Sequence, residues 1–327
     1  ESNNQTQLSG GKKQDIDGDL VTFDAWEHSI HNNNVLSIGH VVDIVKNPKV
    51  PDRDLFVFDV ANDQLIETVS GLGTLLYGIA ADSQGTVYVA QTDARNDVNG
   101  RAGTKKHGLG QLDNRPFLNR ITKIENAGLK DGYNPKVSWF DLEPLPPDHP
   151  TYETAQATPF AVELSSDDRW LYLTAAGSDA FSILDAKSGS LVGRCQVGAV
   201  PQGISIEYRD AKPISAWVLN AAANSVSKID IQDPTKPLLV HTIQLDDPTD
   251  LGVKKGRIAF STARASTTGT FSCASCHPDG HTDQLLWVLN TPIVTGGNQI
   301  MPRSTMPVRG LRDTAPFHWD GIPGDPY

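Results

Sequence analysis

Cys273-Ala274-Ser275-Cys276-His277 is the segment of this 327-residue chain whose residue types and spacing are best suited to chemistry. Two thiols three positions apart reach the two vinyl groups of a porphyrin from one turn of backbone, and the next residue offers an imidazole to the iron; Cys-x-x-Cys-His is the spacing of c-type haem attachment. Two other chemistries use a Cys-x-x-Cys pair. A structural zinc site needs four nitrogen or sulfur ligands, and here only Cys195 and His281 stand ready to complete one. A dithiol redox pair follows a strand and opens a helix in a βαβ unit, whereas Thr267-Thr268-Gly269-Thr270-Phe271-Ser272 reads as a loop. Covalent haem is the reading the spacing favours.

Composition bounds the partners. The chain is 38% hydrophobic and 20% charged, as for an ordinary globular protein, and carries a net charge of −11. Phosphate backbones need a basic footprint, which is absent, so nucleic acid is not an expected partner. Residues 251–327 hold seven Lys/Arg against five Asp, a local balance of +2 that leaves −13 upstream. Ordinary sampling accounts for this; a basic collar would also suit haem propionates and an acidic redox partner. No apolar run approaches the ~20 residues of a membrane helix. Covalent haem implies export, so a periplasmic or extracellular protein is expected, its leader removed or lying outside this sequence. Cys195, in Val192-Gly193-Arg194-Cys195-Gln196-Val197, reads as a buried strand residue.

Upstream of the motif the sequence returns to a short apolar strand closed by an acidic residue before a turn: Val21-Thr22-Phe23-Asp24, Phe56-Val57-Phe58-Asp59, Thr122-Lys123-Ile124-Glu125, Ser182-Ile183-Leu184-Asp185 and Ser227-Lys228-Ile229-Asp230. Leu171 through Asp185 aligns without gaps onto Ala216 through Asp230, an offset of 45 residues. Alternating strands at that period are the signature of β-propeller blades, four-stranded sheets that must stack to bury both faces. Gly78-Ile79-Ala80 with Gly85-Thr86-Val87-Tyr88-Val89-Ala90, and Gly198-Ala199-Val200-Pro201-Gln202-Gly203-Ile204, resemble the YVTN-type β-propeller repeat. The expected fold is therefore mainly β: a propeller of about five to seven blades over residues 1–248, with insertions at 92–118 and 142–156, followed by a smaller α-helical cytochrome c-like domain over 249–327. Leu251 through Phe260 reads as the amphipathic helix that enters it.

Gly256-Arg257-Ile258-Ala259-Phe260, Phe271 through His277, Arg303-Ser304-Thr305-Met306-Pro307-Val308-Arg309-Gly310-Leu311 and Phe317-His318-Trp319-Asp320-Gly321 stand in the order of the first haem domain of bacterial di-haem cytochrome c peroxidases and MauG-like proteins, which this stretch resembles. The resemblance implies thioethers at Cys273 and Cys276, proximal ligation by His277, a propionate partner in Arg303 and an electron relay in Trp319. Family members carry a histidine shortly before that arginine. This chain has Gly296-Gly297-Asn298-Gln299-Ile300-Met301-Pro302 instead, which leaves Met301 and Met306, the two methionines, as candidates for a sixth ligand. The family continues past the Trp-Asp-Gly element to a second Cys-x-x-Cys-His, so a second haem c is expected beyond this sequence and the haem domain reads as truncated. Asp15-Ile16-Asp17-Gly18-Asp19 resembles the start of a calcium loop but lacks the distal carboxylate of an EF-hand, and a solvated turn is preferred. His28, His31 and His40 read as strand and loop histidines.

The function expected is one-electron transfer by an exported c-type cytochrome, coupled to a redox partner protein or a small-molecule donor or acceptor, with the propeller as docking or scaffold domain and with room for assembly with other chains. The alternative is a binding or assembly protein whose haem is structural or an electron conduit. An intact mass one porphyrin above that of the chain is the outcome expected for protein matured in an export pathway; the bare chain mass would remove both readings.

Overall fold

The computed structural model describes residues 53–96, 99, 108–128, 134–288, 302–311, 314 and 315, together with the backbone of four early strands. Contacts along the chain divide it into two compact units, one of residues 52–94 and 117–275, the other of 1–51, 95–116 and 276–327.

The first of these is built from sheets. Strands β1 (Ser2–Thr6), β2 (Lys13–Gln14), β3 (Leu20–Val21) and β4 (His40–Ile44) precede it, pairing as β1–β4 and β2–β3. It opens with a hairpin, β5 (Leu55–Asp59) and β6 (Gln64–Val69). Three four-stranded sheets follow: β7 (Leu75–Ala81), β8 (Val87–Ala94), β9 (Phe117–Glu125) and β10 (Lys136–Asp141); β11 (Pro159–Leu164), β12 (Trp170–Ala175), β13 (Ala180–Asp185) and β14 (Leu191–Gln196); β15 (Pro201–Arg209), β16 (Lys212–Asn220), β17 (Ser225–Asp230) and β18 (Leu238–Gln244). In each, every strand pairs antiparallel with the next in sequence. Such a run of consecutive four-stranded meanders is the blade order of a β-propeller.

Side-chain alternation explains the stacking. Along β12 the pleat sends Leu171 and Leu173 to one face, where they meet Tyr88, Ala90 and Ile121 of the preceding sheet. Tyr172 points to the other face and packs with Phe181, Ile183, Ala216, Val218 and Ile229 against the following sheet. The hairpin repeats the arrangement, closing Val69 and Leu72 over Val89 and Ile124. At the inner edge, a Cβ on Gly78 of β7 would lie 2.5 Å from the Phe160 carbonyl of β11, so only glycine admits that approach.

The 45-residue offset is reproduced in register: Trp170 opposes Asp185 in the second sheet, and Ser215 opposes Asp230 in the third. The acidic strand ends have a common cause. Asp59, Asp185 and Asp230 each accept a backbone N–H two residues on, from Ala61, Lys187 and Gln232, which closes the turn into the next strand. Glu125, one methylene longer, instead pairs with Lys123 and Lys136. Asp24 lies outside the described residues. The third sheet departs from the second where its outer face lacks a described neighbour: Lys228 occupies the place of buried Ile183, stacks 4.6 Å over Trp217 and pairs with Glu207.

Of the two expected insertions, the first is the connection between β8 and β9, which pair up to Ala94 and Phe117; its residues 95–116 belong to the other unit. The helix Leu251–Ser261 forms as expected, capped by Asp250, whose Oδ1 accepts from the Gly252 and Val253 amides. It belongs, however, to the sheet-bearing unit. Beyond it the described residues do not form the expected α-helical domain. They hold one further helical turn, Cys273–Cys276, two 3-10 turns, and a pair of three-residue strands, β19 (Leu286–Val288) and β20 (Pro302–Ser304). Pro278, Gly280, Pro302, Pro307 and Gly310 interrupt any helical ladder there.

Leu173→Ala, which opens a cavity between two sheets, is expected to cost about 2–5 kcal/mol in urea unfolding. Leu239→Ala, on the exposed strand β18, is expected to stay within about 0.5 kcal/mol of the parent.

Candidate functional site

The chain approaches the Cys-x-x-Cys-His motif along the sheets. Ile258 of the helix packs with Ala176, Val200 and Ala222, and Lys254 donates to the Ala223 carbonyl while pairing with Asp247 at 2.8 Å. That lysine holds the Asp247 carboxyl well below the usual carboxylate range, at about 2. After the helix the backbone sinks: Ala263, Thr268, Thr270, Ser272 and Ser275 are all buried.

A buried polar layer holds this stretch. Asn119 of β9 donates to the Thr270 carbonyl at 3.0 Å and to Glu143 Oε2 at 2.9 Å, and its Oδ1 accepts from the Thr158 amide. Glu143 Oε1 accepts from the Gln156 amide, and the Gln156 side chain bonds the Ser182 hydroxyl of β13 at 2.8 Å. Gly269, at φ +68°, passes where a Cβ would fall 2.8 Å from the Tyr152 ring, and Tyr152 donates its hydroxyl to the Ser266 carbonyl. Glu143, Tyr152 and Gln156 all come from the second expected insertion, 142–156, which therefore serves to pack the approach to the motif. Buried amides and carboxylates are tolerated only when hydrogen-bonded, as these are.

The motif begins at a capped turn. The Ser272 amide donates to Ser275 Oγ, and the Ser275 amide to the Ser272 carbonyl, so the helical turn Cys273–Cys276 is closed by the chain's own hydrogen bonds. Positions i and i+3 share a helix face, as two thioethers to one porphyrin require. None of the three cysteines is in a disulfide; Cys273 is exposed and Cys276 half-buried. Immediately afterwards Asp279 and Gly280 take left-handed conformations, φ 53° and 75°, and turn the chain back. That reversal brings the His281 carbonyl to His277 Nδ1 at 3.3 Å. A carbonyl only accepts, so this contact assigns a proton to Nδ1 and leaves Nε2 as the ring nitrogen that can ligate. A ring oriented in this way is a second-layer arrangement typical of metal-ligating histidine. The thiols and the imidazole thus fit a covalently held haem.

The exit from the motif is folded back on itself. Arg309 donates Nε to the Asp279 carbonyl and the Val308 amide donates to the Gly280 carbonyl. Asp283, buried, donates its amide to the Cys276 carbonyl at 2.9 Å and takes the indole N–H of buried Trp287 on Oδ2 at 2.9 Å.

Of the other expected site residues, Arg303 has its backbone in β20 opposite Trp287, and Met306 is exposed. Met301 and Trp319 lie outside the described residues, as do His28, His31 and the Asp15–Asp19 segment. Cys195 lies in β14 against the core between the second and third sheets, where burial pushes its thiol up to about 12 and makes it inert. Among the described residues, no three His, Cys, Asp or Glu side chains gather as metal ligands. The described helices include none long and apolar enough to cross a membrane. Sequence reasoning missed Asn119, Glu143, Gln156, Asp283 and Trp287; the one visible signal was a polar amide at an inward strand position, Asn119 in Phe117-Leu118-Asn119-Arg120-Ile121.

No protein-family model matches the chain. No curated protein matches it either. Solved structures that resemble it include hydrazine synthase from Kuenenia stuttgartiensis, at 18% identity over 53% of this chain and 50% of that one, with a TM-score of 0.40. Virginiamycin B lyase from Staphylococcus aureus is similar at 18% identity over 53% and 42%, TM-score 0.32. The periplasmic gluconolactonase of Pseudomonas aeruginosa is similar at 12% identity over 60% and 64%, TM-score 0.32. The chain spans about half the length of the first two. Likenesses at this level carry no argument about activity, and the blade order above rests on the sheet topology itself.

Two outcomes are expected from this geometry. Asn119→Ala leaves a buried carboxylate and the Thr270 carbonyl short of a donor, and is expected to cost roughly 1–3 kcal/mol, read by urea unfolding. Asp179, at φ 51°, accepts the Val200 amide, and burial raises its carboxyl above the ordinary range despite that amide and Arg264. A raised folded value favours the fold below the ordinary carboxylate pKa, and that advantage is lost as pH rises through the folded value. Asp179→Asn keeps the acceptor and tolerates the left-handed backbone, so it is expected to raise the melting temperature at neutral pH and to lose this gain in acid.

Proposed function

We propose that this protein is an exported c-type cytochrome in which Cys273 and Cys276 hold a haem through thioethers, His277 ligates its iron through Nε2, and β-propeller blades serve as scaffold and docking body for one-electron transfer. The observation that carries this reading is the His277 ring held by the His281 carbonyl, next to two cysteines on one helical turn. When bound, haem supplies a one-electron iron couple. The chain's own residues do the rest. The Asp279-Gly280 reversal orients the imidazole, the Nδ1–H bond to a carbonyl raises its basicity as a ligand, and the buried layer around Asn119 and Glu143 fixes the approach to Cys273.

The partner is a redox protein or a small-molecule donor or acceptor. Arg303 as propionate partner, Trp319 as relay and Met301 or Met306 as a sixth ligand follow from the resemblance of residues 250–327 to the first haem domain of di-haem peroxidases and MauG-like proteins, as does a second haem beyond this sequence. Peroxide reduction belongs to the same resemblance.

Expression in a host that matures c-type cytochromes, followed by a pyridine haemochrome spectrum, tests the reading. The parent is expected to give a haem c spectrum and the Cys273→Ala, Cys276→Ala double variant none. A parent without covalent porphyrin would overturn it. Peroxide added to the reduced parent separates the two activities: reoxidation with turnover supports a peroxidase, and an unchanged spectrum leaves electron transfer alone.

A further inference from the structure

We propose that Asp283 and Trp287 are positioning residues that set the reduction potential of the haem held by Cys273, Cys276 and His277; this rests on the haem reading above. Asp283 is 6% exposed and Trp287 3%. The Asp283 amide donates to the Cys276 carbonyl at 2.9 Å, so the backbone of Asp283 is tied to the backbone of the residue that would carry one thioether. Its two carboxylate oxygens are both engaged, Oδ1 by the Leu285 amide and Oδ2 by the Trp287 indole N–H, each at 2.9 Å. The same strip is pinned from its other side. The Thr305 amide donates to the Leu285 carbonyl at 3.1 Å, and Thr282 Oγ1 donates to the Thr305 carbonyl at 2.8 Å.

A buried carboxylate is costly, and a neutral amide could take the Leu285 amide on its single oxygen at smaller cost. What an acid can add over an amide is a charge, carried by a buried residue whose backbone bonds the haem-bearing turn. Oxidised iron carries one more positive charge than reduced iron, so a nearby anion stabilises the oxidised form and lowers the potential. The indole N–H opposes that effect, since a donated hydrogen bond draws density from the carboxylate. The pair therefore makes two predictions of opposite sign. Removing the charge raises the potential, and removing the indole donor while keeping an aromatic ring lowers it.

The test is an equilibrium redox titration of the haem-loaded full chain, as parent, Asp283→Asn and Trp287→Phe, with intact mass confirming one porphyrin in each. The expected result is an upward midpoint shift for Asp283→Asn and a downward shift for Trp287→Phe. A merely structural role would loosen the turn in both variants and move the two midpoints the same way. Shifts in one direction, or a midpoint equal to the parent's in either variant, would overturn the proposal. If Asp283→Asn fails to mature, Trp287→Phe decides alone: a fall sustains the proposal, and no change or a rise overturns it. A parent that carries no porphyrin is a separate result, which sinks the haem reading and this inference with it.

Discussion

A sheet that places Leu171 and Leu173 on one face and Tyr172 on the other cannot stand alone in water. Each face carries side chains whose burial stabilises by about 1.5–3 kcal/mol apiece, and that stabilisation exists only when another sheet covers them. Stacking is therefore the condition for the fold, and the rest follows from it. Tight Asx turns keep successive strands adjacent, glycine at Gly78 admits close approach at the inner edge, and the third sheet meets water with Lys228 where its neighbour buries Ile183.

Stacked apolar sheets still need specific polar contacts to hold a loop in one place. Asn119 illustrates how this is done: a strand residue facing inward, it meets a carbonyl from the approach to the motif, a carboxylate from the 142–156 segment and the amide of Thr158, just before the next sheet. Each of those groups would be unsatisfied if the loop moved, so the segment before Cys273 is fixed by the cost of leaving buried polar atoms bare. After the motif a second buried carboxylate, Asp283, plays the corresponding part for the exit. The chain's own hydrogen bonds thus hold the segments before and after the motif.

Much of the strand arrangement was legible. Asp59, Asp185 and Asp230 marked strand ends because a short acidic side chain closes a turn onto backbone two residues ahead, a local effect. The helix Leu251–Ser261 was readable through a single amphipathic stretch, and its Asp250 cap emerged with the structure. The expectation of further helices after it came from the haem motif instead, and the prolines and glycines between 278 and 310 oppose it locally. Glu143 and Gln156 could not be read at all, since their side chains also need Asn119 of β9 and Ser182 of β13, far away in sequence.

By itself, the order of residues determined the local chemistry: which positions alternate, where turns close, and that Cys273, Cys276 and His277 sit close enough along the backbone to serve one porphyrin. These depend on bonds and contacts within a few residues. Only the tertiary structure decided that Asn119 reaches Thr270 across 151 positions, and that Thr305 closes over the strip in which Asp283 holds Trp287. Such pairings have no local cause; they arise where stacked sheets and a reversed chain exclude water and leave each buried polar group to find its partner nearby.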